Sequence, residues 1–224
     1  MRKLLASFLA VFGVSSTAGV TRPEVVTVDP NTLHYSMPTV AADGLEFVIP
    51  SEATFSGAPQ FHEDEWAQIE FFPRSRLREI QQRLVEYKQF EIKHRSSAGW
   101  SSIYARSIER SSIVGGPSPA ARLASILGTS VGNSPILHIA SRPLGQVQAG
   151  FSIEVGPDVF LYGQEGAVGV TTLGVILFSG ADNQLLIGAF SKLNQSDGLI
   201  LVDWRAQQIL VSAAPDGRVE VWQP

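Results

Sequence analysis

The sequence predicts an α+β fold: a strand–strand–helix–strand unit with one long amphipathic helix, followed by a mainly antiparallel β-sheet body. Three patterns carry that expectation. Between Pro73 and Arg95, Leu77, Ile80, Leu84 and Tyr87 recur at spacings of three, four and three, the stripe of a helix with one buried face. From Pro135 onward, short apolar runs are separated by Gly, Asp, Asn or Pro, as strands are by turns. Gly115-Gly116-Pro117 divides the two regimes.

The N-terminus reads as a targeting segment. Arg2 and Lys3 precede an apolar run from Leu4 to Val14 that is too short to span a bilayer, and Ser16-Thr17-Ala18 supplies small residues for cleavage. Residues 1–18 are expected to be a signal peptide removed near Ala18, leaving a mature chain without an integral membrane span, in the periplasm or outside the cell. Loss of Arg2 and Lys3 takes the formal charge from −4 to −6. The absence of cysteine excludes disulfides, thiolate metal ligands and cysteine nucleophiles, and in an exported chain it points to a bacterial source.

Residues 19–43 carry Pro23, Pro30 and Pro38, which forbid a long helix and favour an extended lead-in. The α+β unit is expected over residues 44–112. Within it, Leu45–Ile49 is β-rich after the Asp43-Gly44 turn. Trp66–Phe72 alternates, with Ala67, Ile69 and Phe71 on one face and Gln68 and Glu70 on the other, which predicts a half-buried strand. Pro73 ends that strand and suits the first turn of the helix that follows. Val85 and Ile92 fall off the main stripe, so a second packed flank is expected there. Gly99, Ile103 and Tyr104 favour a strand returning beside Trp66–Phe72.

The body is expected over residues 113–224, packed with the preceding unit as one domain. Ser118, Pro119 and Gly128 are placed as cap, first-turn residue and terminator of a short helix. The predicted strands are Ile136–Ala140, Val147–Val155, Val159–Tyr162, Val168–Phe178, Leu185–Phe190, Leu199–Trp204, Ile209–Ala213 and Val219–Trp222. Solidly apolar stretches such as Leu199–Val202 imply burial on both faces, which argues against the alternating strands of a membrane barrel. Asp197-Gly198 and Asp216-Gly217 read as hairpin turns. The segment from Ile209 to Trp222 resembles the closing strands of a WD-repeat propeller blade. However, the Gly-His element is absent and no second copy recurs, so it is read as an ordinary hairpin.

Function is written less plainly. With 17 basic and 21 acidic residues, the chain lacks the cationic surplus of a nucleic-acid binder. His62-Glu63 begins like the zinc-protease signature, but Trp66 stands where the second histidine belongs. Serine-hydrolase elbows, phosphate loops and dinucleotide fingerprints are missing, and no cofactor or metal is expected. What stands out is charge segregation: Glu63, Asp64, Glu65 and Glu70 precede a helix rich in arginine and lysine. The expectation is a protein-binding surface formed by His62, Glu63, Asp64, Glu65 and Trp66 together with Arg78, Glu86 and Lys93, in an exported, non-enzymatic protein of the immunity or inhibitor kind. The alternative is an exported hydrolase whose acidic groups, with His62 or His94, meet only in the fold. Arg74, Arg76 and Arg78 oppose the helix dipole, so an acidic group is expected near them, with Glu63–Glu65 the candidates.

Overall fold

The computed structural model describes residues 34–214 and 217–224. The expected signal peptide, most of the lead-in and Asp216 of the last predicted turn lie outside the described residues. In chain order the elements are β1 (Thr39–Ala41), β2 (Phe47–Val48), α1 (Glu52–Phe55), β3 (Gln60–His62), β4 (Ile69–Pro73), α2 (Leu77–His94), β5 (Arg95–Ser96), β6 (Gly99–Trp100) and β7 (Tyr104–Arg106). Then come α3 (Pro119–Leu127), β8 (Val131–Gly132), β9 (Ile136–Ile139), β10 (Arg142–Val147), β11 (Gly150–Gly156), β12 (Val159–Gly166), β13 (Gly169–Leu177), α4 (Asn183–Asp197), β14 (Leu199–Asp203), β15 (Gln208–Ala213) and β16 (Val219–Trp222). Single 3-10 turns occupy Glu63–Glu65 and Arg74–Arg76. The α+β class is as the sequence predicts.

An eight-stranded antiparallel sheet, in the order β16-β15-β14-β4-β13-β12-β11-β8, is the frame. A four-stranded sheet, β2-β10-β9-β3, lies apart from it, with β3 parallel to β9. Side-chain alternation along β4 shows how the layers are arranged. Phe71 points into a core with Leu123 of α3 and Phe190 and Leu193 of α4. Phe72 points the opposite way, into a core of Ile80, Leu84 and Tyr87 of α2 with Ile200, Val202 and Trp204. Farther along that second face, Phe61, Leu137 and Val147 of the small sheet pack on Tyr162 and Ile176. The large sheet is therefore covered on both faces, by α3 and α4 on one and by α2 and the small sheet on the other.

That double cover corrects the expectation of a half-buried strand. Glu70 is 0% exposed and Gln68 3%, because the face they occupy is roofed rather than solvated. The neighbours of β4 are β13 and β14, not a strand from residues 96–112. The latter segment makes only the short β5–β6 hairpin and β7, which pairs parallel with β1.

Helix α2 uses the predicted stripe: Ile80, Leu84 and Tyr87 are buried, each removing apolar area worth about 1.5–3 kcal/mol. The expected second flank does not exist. Val85 is exposed and Ile92 is 72% exposed. Along the helix, Glu91 and Arg95, one turn apart, pair at 3.6 Å, whereas Glu79 joins Arg76 rather than Arg83 one turn on.

The predicted strand Leu185–Phe190 is part of α4. Leu186, Phe190 and Leu193 fall on one helical face, the Asp182 side chain accepts from Gln184 N–H as an N-cap, and Gly198 closes the helix at φ 62. Asp197-Gly198 is thus a helix end rather than a hairpin turn. Helix α3 ends at Gly128 as predicted, although Ser118 makes no side-chain cap bond. In the glycine-rich region of β13, Gly174 faces Tyr162, whose ring would lie 2.5 Å from any Cβ placed there. Only glycine admits the ring. Together, the residues from His34 onward form one compact unit.

Candidate functional site

The acidic turn is built by the chain's exit from β3. His62 caps the 3-10 turn: its Nδ1 accepts from Asp64 N–H (3.2 Å) and lies 3.3 Å from Asp64 Oδ2, while its Nε2 lies 3.3 Å from Ala140 N. Burial, followed by the Asp64 charge, holds the Glu63 carboxyl above its ordinary range, with His62 acting the other way. Glu65 accepts from Arg205 Nη2 at 2.7 Å. The acidic partner expected near the helix N-terminus is Glu79 instead: it accepts from Arg76 Nε and Nη2, and this pairing lowers its pKa.

Trp66 departs from the expected accessible anchor. It is 3% exposed, its ring lies 4.8 Å from that of Tyr162, and its Nε1–H donates to Asp43 Oδ2 (2.8 Å). A large aromatic after a polar turn is drawn into the nearest apolar layer, here the core between the two sheets. Ala67, next along, is held at φ 53 from both sides: its N–H donates to Tyr162 Oη (2.7 Å) and its carbonyl accepts from Arg106 Nη2 (2.7 Å).

The remaining candidates divide into two groups. Glu65 lies beside the C-terminal end of α2, where it shares with Glu91, Arg95, Arg205, Met37 and Trp100 an open groove of about 490 Å³. Glu91 accepts from Gln207 Nε2 (2.6 Å) and faces Lys88 and Arg95. The lining thus carries two acids and two guanidinium groups. Trp100 adds an indole Nε1–H that is buried without an acceptor among the described residues. Lys93 is exposed in the same last helical turn. By contrast, Arg78 stands at the other end of α2, about 22 Å from Lys93 at the usual helical rise. Glu86, between them, pairs with Arg83 at 3.2 Å. The eight predicted residues do not form one surface.

A second assembly was not anticipated. Beneath the acidic turn, Glu70 Oε2 accepts from Arg110 Nη1 (2.6 Å) and its Oε1 from Trp204 Nε1 (2.8 Å). Arg110 also donates from Nε and Nη2 to Asp43, at 2.9 and 2.6 Å. Burial pulls Arg110 down, but Glu70 and Asp43 outweigh it and raise its pKa. Arg106 lies alongside, its guanidinium 4.9 Å from the Trp204 ring centre. The available signal was Glu70 itself, a lone acid within Ile69-Glu70-Phe71-Phe72; its partners Asp43 and Arg110 carry no mark in the sequence.

Among the described residues, no group of three or more histidine, aspartate or glutamate side chains is placed to hold a metal ion. No helix there is long and apolar enough to cross a membrane. Comparison with protein-family models, curated proteins and solved structures gives no match for this chain.

Proposed function

We propose that this chain is an exported, non-enzymatic protein that binds another protein by electrostatic complementarity, in the manner of an immunity or inhibitor protein. The groove at the C-terminal end of α2 carries this reading. It is open, lined by the acids Glu65 and Glu91 and the guanidinium groups Arg95 and Arg205, and walled by Trp100 and Met37. Such a lining rewards a partner of complementary charge and disfavours others. The export component rests on the pattern of residues 1–18; amino-terminal sequencing of the secreted chain should begin at Gly19. For binding, the mature protein is used as bait on its own cell-envelope fraction, beside a Glu65→Ala/Arg95→Ala/Arg205→Ala variant. A partner retained by the wild type at low salt, released at high salt and not retained by the variant supports the reading. Equal retention by both removes the groove from consideration.

One observation favours the hydrolase alternative. His62 and Asp64 are paired beside Glu63, whose raised pKa suits a general acid. Activity against ester, peptide or glycoside substrates that disappears in both His62→Ala and Glu63→Gln variants would favour it over docking.

A further inference from the structure

Three large apolar side chains stand in solvent at the edge of the small sheet: Ile49 is 95% exposed, Phe55 49% and Val48 44%. Their placement follows from the register of β2 and β10. Phe47 pairs with Val147, which points into the core between the sheets, so the next pair, Val48 and Gln146, points outward. On that outer face Gln146 Nε2 donates to the carbonyls of Thr54 (3.0 Å) and Ser134 (2.9 Å), which ties α1 over the same face as Val48. The ends of α1 are fixed as well. Ser51 and Thr54 form a capping box, and Asn133 Nδ2 donates to the carbonyls of Ala53 (3.0 Å) and Ser56 (2.9 Å). The patch is thus held on an anchored backbone.

The charge around it has one sign. Glu46, two positions before Val48 in the same extended run, and Glu52, the first residue of α1, are both exposed. Neither has a cationic partner among the described residues. The stretches that meet here, residues 39–61, 129–140 and 144–151, contain no lysine or arginine. Ile92, the other highly exposed isoleucine, has the opposite setting on α2, near Lys88, Lys93 and Arg95.

We propose that Val48, Ile49 and Phe55 form a docking surface for a cationic, apolar segment of another protein. Its aliphatic or aromatic side chains cover the patch, and its lysines or arginines meet Glu46 and Glu52. Covering exposed apolar groups is favourable, and a patch already fixed in place loses little freedom on binding. The two acids choose the occupant. A second copy of the chain would set them against themselves, and an anionic bilayer would be repelled by them. The surface shares no residue with the α2 groove and does not rest on that docking reading.

The test is a titration of the full chain, ¹³C-labelled at isoleucine and valine methyl groups, with a soluble peptide of alternating leucine and lysine. A leucine–glutamate peptide and a serine–lysine peptide are its counterparts. The Ile49 and Val48 methyl resonances should shift saturably with the leucine–lysine peptide and with neither counterpart, while the Ile92 methyl stays in place. Ile49→Ser, at a position outside the core, should weaken binding about tenfold with an unchanged melting temperature. The Glu46→Gln/Glu52→Gln variant should weaken it about fivefold. The Glu65→Ala/Arg95→Ala/Arg205→Ala variant should bind the peptide like the wild type, which separates this surface from the groove. The proposal is overturned by no saturable shift at Ile49, by an equal shift at Ile92, by an equal response to either counterpart, or by wild-type affinity in Ile49→Ser. Self-association in sedimentation that Ile49→Ser abolishes would overturn it in favour of a second copy. Binding to phosphatidylcholine–phosphatidylglycerol vesicles that Ile49→Ser abolishes would overturn it in favour of a membrane.

Discussion

Arg110 reaches Glu70 with one nitrogen and Asp43 with two others, so its removal leaves one fully buried and one largely buried carboxylate without a cationic partner. Breaking a buried pair from one side costs about 3–5 kcal/mol. Arg110→Ala should lose stability of that order in urea unfolding, and the additional change of Glu70 to Gln should restore part of it. Asp203 offers the opposite case. Burial raises its pKa, against the pull of the Ala206 and Arg205 backbone N–H groups. A carboxyl raised in the folded state favours folding while it is protonated, and that contribution is lost as pH rises through the folded value. Asp203→Asn should therefore raise the melting temperature at pH 7, and the gain should vanish below about pH 4, where the acid is protonated in both states.

Among the elements, α2 shows what sequence periodicity can resolve. Its stripe is legible because a helix covering one sheet face needs a single row of apolar residues, and Leu77, Ile80, Leu84 and Tyr87 supply it. Leu84→Ala should cost about 2–5 kcal/mol, whereas Ile92→Ala should stay within about 0.5 kcal/mol by the same unfolding measurement. If Ile92→Ala also impairs partner binding, the outward face of α2 belongs to the docking surface. Helix α4 was obscured for a local reason. Leu185-Leu186-Ile187-Gly188-Ala189-Phe190 is short, apolar and interrupted by glycine, as a buried strand is. The deciding marks were its ends, Asp182 and Gly198, rather than its middle. Trp66 misled differently: residue type and a polar neighbourhood say nothing about the small sheet that later covers it. The acidic turn was legible as a charged turn. Its union with the end of α2 depends on Arg205, far along the chain, and no local pattern predicts that.

For the whole molecule, the sequence boundary near Gly115 does not mark a division of the core. Both neighbours of β4 come from beyond it, β13 and β14 supplying the hydrogen bonds on either side. A fragment ending at residue 112 would leave β4 with two open edges and Glu70 without the Trp204 indole. Residues 34–112 expressed alone should show no near-UV circular dichroism from ordered aromatics, and the full chain should unfold in a single urea transition.

The central position of β4 also sets an order of events in time. Glu70 and Trp204 are 134 positions apart. As the chain emerges from the ribosome, β4 exists long before either of its partners, and it waits unpaired until the last third of the protein has been made. Loop closure over such distances is slow, and an apolar strand left waiting is a target for stray pairing with another chain. Pro73 at its end, which offers no N–H to a passing strand, and the charged turn at its start are thus safeguards for an intermediate as much as parts of the finished structure.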